Sequence, residues 1–264
     1  LVCLRKHCNE LRRLLALQVL DSSDPGAELV IDHLQIAAAV DYVQVDMLSF
    51  SDCSMCSEAD EYDGARSQVL SDAISELTMF LYVWTAAETI IKLMDLDKVP
   101  KSLKAGGSSC VDRAIFFVKR TLCFGEDGGP IPGYKETLRG LKEMLAYVPR
   151  YRGMTGEFAI KSHMNVWGLG LHVVRKLRNE LVHGALRMPE PPEWGREGAA
   201  DTRVIELSTR LALFSIQMLL ICAVTSGLPF PTLLPRGSKD GKGLLAALRT
   251  LHVRGSREDA RSAS

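Results

Sequence analysis

A chain of 264 residues can bury a large core, and 47% apolar with 24% charged residues places it among ordinary globular proteins, excluding a disordered or collagen-like chain. Its 32 basic side chains are balanced by 32 acidic ones, which excludes a whole-molecule field for a polyanion and leaves nucleic-acid binding to local patches. Seven irregularly spaced cysteines exclude a small secreted disulfide scaffold and read as reduced thiols of a cytoplasmic chain.

Leu4, Cys8, Leu11, Leu15 and Val19 recur at helical spacing, and Arg5, Lys6, Arg12 and Arg13 lie off that stripe, so the spacing predicts an amphipathic first helix. These charges near the start are not the apolar core of a secretory signal. Asp21 to Gly26 stops the helix. From Ala27 to Met47 the composition predicts a second helix, with Val40 to Val45 open to a short strand.

Ser51 to Asp63 is acidic and polar and reads as a loop or linker. It contains Cys53 and Cys56, half of a zinc knuckle. The other half would have to come from Cys3, His7 and Cys8, whose spacing fits no common zinc pattern, so two small residues in a polar loop is the better reading.

The longest periodic pattern runs from Ala65 to Leu96 through Leu70, Ile74, Leu77, Leu81, Trp84 and Ile91. Glu88 interrupts it on the core side, where an unpaired carboxylate is costly. Either it reaches water at the edge of the stripe or an arginine of a neighbouring helix pairs with it.

Val111 to Phe124 and Tyr134 to Tyr147 are two shorter helical patterns. The second ends in a basic, aromatic tip made of Tyr147, Arg150, Tyr151 and Arg152. Such a tip suits stacking on bases and holding phosphate, although solvation of a helix end explains it more simply.

Asn165 to Arg187 is the next helical run, with Trp167, Leu171, Val174, Leu177 and Leu181 on its buried face and three prolines beyond it. Thr202 to Ser226 follows, with an apolar stretch from Leu211 to Val224 that is too short for a membrane span and marks the central helix of a bundle. After Gly227 comes a proline-containing basic tail, helical at most over Leu244 to Val253.

Near the end of the sixth run stands Arg178-Asn179-Glu180-Leu181-Val182-His183-Gly184. At 100° per residue, Asn179 and His183 lie about 40° apart, and Arg178 lies about 140° from His183. An arginine holds a phosphate by a planar two-pronged contact, and an imidazole moves protons near neutral pH. RNA supplies its own nucleophile, the 2′-hydroxyl. His183 would serve as base or acid and Arg178 would stabilise the charge growing on phosphorus, without a metal. A helix cap or an ordinary surface pair has the same spacing.

The segment Leu177 to Gly184 resembles the Arg-polar-x-x-x-His signature of the HEPN superfamily, and Phe80 to Ile91 is similar to that family's first long helix, with its aromatic residue, Ala-rich step and Glu. The resemblance covers about Ala65 to Gly227. It implies an all-α, HEPN-like up-and-down helical bundle (residues 65–228), preceded by an extra N-terminal helical segment and acidic linker (1–64) and followed by a basic, partly disordered tail (229–264).

It further implies a homodimer whose shared cleft cuts RNA with Arg178, His183 and Asn179 and no cofactor, Glu88 pairing with Arg178. Many relatives are toxins or antiviral effectors with an antitoxin or nucleotidyltransferase partner, and none of this calls for a membrane. A catalytically silent RNA- or protein-binding regulatory module is the alternative. The connection between Glu88 and Arg178 is longer than the family pattern.

Overall fold

The computed structural model describes residues 1–20, 24–47, 49, 57–97, 109–122, 130–182, 198–227 and 241–253. Among them the protein is all-α, without a strand. Eight α-helices cover Leu4–Leu14 (α1), Pro25–Ala39 (α2), Ser57–Leu93 (α3), Cys110–Thr121 (α4), Tyr134–Tyr147 (α5), Val166–Val182 (α6), Gly198–Ser226 (α7) and Gly241–Thr250 (α8). A π turn, Leu15–Val19, extends α1, and a 3-10 segment, Pro149–Phe158, joins α5 to the approach of α6.

Helix α7 is the axis of the fold, and α1, α3, α4, α5, α6 and α8 all pack on it. Every residue from 211 to 223 is buried. This explains why the helix is apolar on all faces: it is enclosed by neighbours, and its backbone polar groups are satisfied internally. Among the described residues Ala200–Ser226 alone is long and apolar enough to cross a membrane, and 89% of its most apolar stretch lies inside the bundle.

The first and last helices share this core. Leu4, Cys8 and Leu11 of α1 and Leu244 and Leu248 of α8 are buried with the rest. The Val2 amide donates to the His252 carbonyl at 3.0 Å. His7 Nε2 lies 2.8 Å from Gln217 Oε1, and Gln217 Nε2 lies 3.2 Å from His252 Nδ1. That buried chain links α1, α7 and the end of α8. Burial, reinforced by the neighbouring His252 and opposed by the Gln217 hydrogen bond, pushes His7 down to about 3.

Residues 57–63, expected as linker, are the opening turns of α3. Glu58 and Asp60 lie in its first turn, where the positive end of the helix dipole stabilises carboxylates. The second helix, expected to reach Met47, ends at Ala39, and residues 40–45, left open to a strand, are extended chain that pairs with side chains. Val43, Val45 and Met47 donate their amides to the hydroxyls of Ser75, Ser71 and Ser67, at 2.7, 2.9 and 2.9 Å.

The match is geometric. Two extended residues advance about 6.7 Å and four helical residues about 6 Å, so alternate amides meet every fourth side chain on α3. Each serine also donates to the carbonyl four residues before it, at 2.7 Å, which fixes its lone pairs towards the segment.

Candidate functional site

Helix α6 is seated by close approaches that only glycine permits. A Cβ on Gly168 would meet Ile115 Cγ2 of α4 at 3.0 Å, and one on Gly170 would meet the Tyr134 hydroxyl of α5 at 2.6 Å. Tyr134 is fully buried, and its hydroxyl accepts from the Gly170 amide at 2.8 Å while donating towards the Trp167 carbonyl at 2.9 Å. Asn165 Oδ1 accepts from the Gly168 amide at 3.0 Å and so caps the helix.

At the other end Leu177 is wholly buried and Leu181 packs against the core, which leaves Arg178 and Asn179 half-buried beside them. Arg178 Nη1 donates to Asn179 Oδ1 at 3.3 Å, and Arg178 Nε is buried without a hydrogen-bond partner. Among the described residues Arg178 forms no ion pair. Arg150 and Arg175 are different, being bound to the buried carboxylates Asp201 and Asp112. His183 and Gly184 lie outside the described residues, as do Cys53 and Cys56.

The expected pairing of Glu88 with Arg178 is not formed. Helix α3 packs on α2, α7 and α4, and α6 packs on α4, α7 and the 3-10 segment. Glu88 is half-buried and has no hydrogen bond or ion pair among the described residues.

The basic, aromatic tip is largely structural. Tyr151 is buried, and Arg150 Nε donates to Asp201 Oδ1 at 2.8 Å, tying the 3-10 segment to the first turn of α7. Tyr147 and Arg152 remain exposed. As for the zinc alternative, His7 is bonded to Gln217, and burial pushes the Cys8 thiol up to about 12. Neither is poised as a ligand. No group of three His, Cys, Asp or Glu among the described residues is placed to hold a metal.

Sequence reasoning missed a charged cluster beside α6. Glu157 of the 3-10 segment accepts from His172 Nε2 at 2.7 Å and from Lys161 at 3.1 Å, with Lys176 at 3.9 Å. Burial alone would raise the Glu157 carboxyl, but those hydrogen bonds and charges outweigh it and hold it below the usual range. Arg175 bridges Asp112 at 2.8 Å and Ser109 at 2.9 Å. His172 and His163 are both shifted down, chiefly by burial. The available signal was the spacing His172, Arg175, Lys176, Asn179, which puts all four on one side of α6.

No family model matches the chain, and neither a curated protein nor a solved structure does. Fold and site define an all-α bundle whose sixth helix carries an asparagine at the end of a polar stripe and an arginine bonded to it.

Proposed function

We propose that the protein is a metal-independent endoribonuclease of the HEPN type, acting as a homodimer. The observation that carries this reading is Arg178: a half-buried guanidinium with no carboxylate among the described residues, its Nε orphaned and its Nη1 held by Asn179. Buried arginines of structural use are normally ion-paired, as Arg150 and Arg175 are here. A phosphate supplies the missing acceptor, in two-pronged geometry.

In this reading Asn179 orients Arg178, which neutralises the charge that develops on phosphorus. His183, four positions after Asn179, takes the proton of the 2′-hydroxyl or gives one to the departing 5′-oxygen. The 2′-oxygen forms a bond to phosphorus as the bond to the 5′-oxygen breaks, which leaves a 2′,3′-cyclic phosphate and a 5′-hydroxyl. The sequence spacing, if helical throughout, would set Arg178 and His183 about 140° apart, and in this reading the second protomer brings the complementary residue to the phosphate. Glu88 has no part in the step. A defence or toxin role, with a silencing partner such as an antitoxin or nucleotidyltransferase, fits such an activity.

The test is to analyse the ends of cleaved RNA. Cyclic phosphate with 5′-hydroxyl ends is the expected result, and 3′-hydroxyl ends would refute this chemistry.

A further inference from the structure

Three cations, Lys161, Arg175 and Lys176, pair with two carboxylates, Glu157 and Asp112, and Lys119 donates to the Ser162 carbonyl, where α4, the 157–163 segment and α6 meet. The side chains of Lys161 and Lys176 are 44% and 40% exposed, so their ammonium groups reach the surface. His172 is 2% exposed, and its Nε2 faces Glu157 at 2.7 Å and Lys161 at 3.2 Å. One ring nitrogen can serve a carboxylate or an ammonium, never both at once. Lys161 therefore shares an acceptor that is already in use.

A second observation points to a ligand. His163 is 5% exposed and neither ring nitrogen has a hydrogen-bond partner among the described residues, although buried imidazoles normally have one. The charges that act on it are Asp112, Lys161, Arg175 and Lys119, three cations to one anion. An arriving anion relieves both the surplus charge and the orphaned ring.

The cluster also continues the proposed active site. Arg175, Lys176 and His172 stand on the same side of α6 as Asn179, about 5 Å from it for Lys176 and about 11 Å for His172 along the axis. We propose that this cluster holds the backbone phosphates of the RNA strand next to the one that is cut, so that the substrate lies along α6 from Asn179 towards His172. This rests on the nuclease reading for the direction of the strand, and on the cluster itself for the holding.

The test measures fluorescence anisotropy of a labelled single-stranded RNA on the full chain in a His183→Ala background, which keeps the RNA intact. Lys161→Gln with Lys176→Gln is compared with Lys92→Gln and Lys142→Gln, exposed lysines of α3 and α5 that make the same change in charge. The expected result is about tenfold weaker binding for the cluster pair only, with a salt slope smaller by about 1.4 for two lost phosphate contacts. With His183 present, KM rises while kcat stays within about threefold.

Equal losses in the two pairs overturn the proposal, as do cleavage by the parent with an unchanged KM in the cluster pair. A parent that binds RNA through the cluster yet never cuts it sinks the nuclease reading and leaves the holding site standing. A parent that neither binds nor cuts RNA removes both.

Discussion

The Tyr134 hydroxyl lies 2.8 Å from the Gly170 amide nitrogen, so a side chain of α5 is hydrogen-bonded inside the first turns of α6. This contact seats the helix that carries Arg178, and it leaves no room for a Cβ at position 170, which would stand 2.6 Å from the hydroxyl and 3.1 Å from the ring. Gly170→Ala should therefore destabilise the fold by about 1–3 kcal/mol through overpacking, despite alanine's better helix propensity. Denaturant unfolding checks this. A stabilised variant would show that the contact is looser than described.

The serine ladder makes a second prediction. Ser71→Ala removes the acceptor of the Val45 amide and should cost about 1 kcal/mol. Replacing Ser67, Ser71 and Ser75 together should release the extended segment from α3 while the core persists. Hydrogen exchange would show it as lost protection at Val43, Val45 and Met47, and unchanged protection at those amides would contradict the ladder.

The buried His7–Gln217–His252 chain predicts acid sensitivity. His7 in the fold is held near 3, well below the ordinary histidine value of 6.5 that the unfolded chain regains. Below about pH 6.5 the unfolded state therefore binds a proton that the folded state refuses. The contribution of His7 is complete above that pH and is lost on acidification towards about pH 3, by about 1.4 kcal/mol per pH unit. His33, His163, His172 and His252 shift in the same direction, each chiefly by burial, and steepen the loss. Urea midpoints at pH 7.5 and pH 5 should differ clearly, and a flat profile would contradict the buried neutral imidazoles.

Glu88 gives a sharper prediction about the site. Without an ion pair to Arg178, Glu88→Gln should leave RNA cleavage within about threefold of the parent. A loss of about 100-fold would restore the pairing in the assembled dimer.

Much of the helical order was legible because burial imposes a 3.6-residue period. The α5 bounds, Tyr134–Tyr147, follow directly from Leu138, Leu141 and Leu145, and the all-round apolarity of α7 announced a central helix. The acidic start of α3 was not legible as helix, since Glu58, Asp60 and Glu61 resemble a solvated linker until their place at a helix N-terminus is known. The ladder was hidden for another reason: Ser67, Ser71 and Ser75 are small polar side chains four residues apart, and only the path of residues 43–47 shows that they bond a backbone.

The Glu157 cluster escaped because its members come from α4, the 157–163 segment and α6, and local periodicity carries nothing about such a meeting. The Arg178 motif was visible as residue types. What the fold added is that Arg178 has no carboxylate partner among the described residues.

The most direct measurement of the central claim is cleavage of RNA by the purified protein in excess EDTA, with Arg178→Ala and His183→Ala alongside. The nuclease reading predicts that the parent cuts and that each variant is slower by about 100-fold or more, with folding preserved. Intact RNA with the parent, or equal cutting by parent and variants, would contradict it.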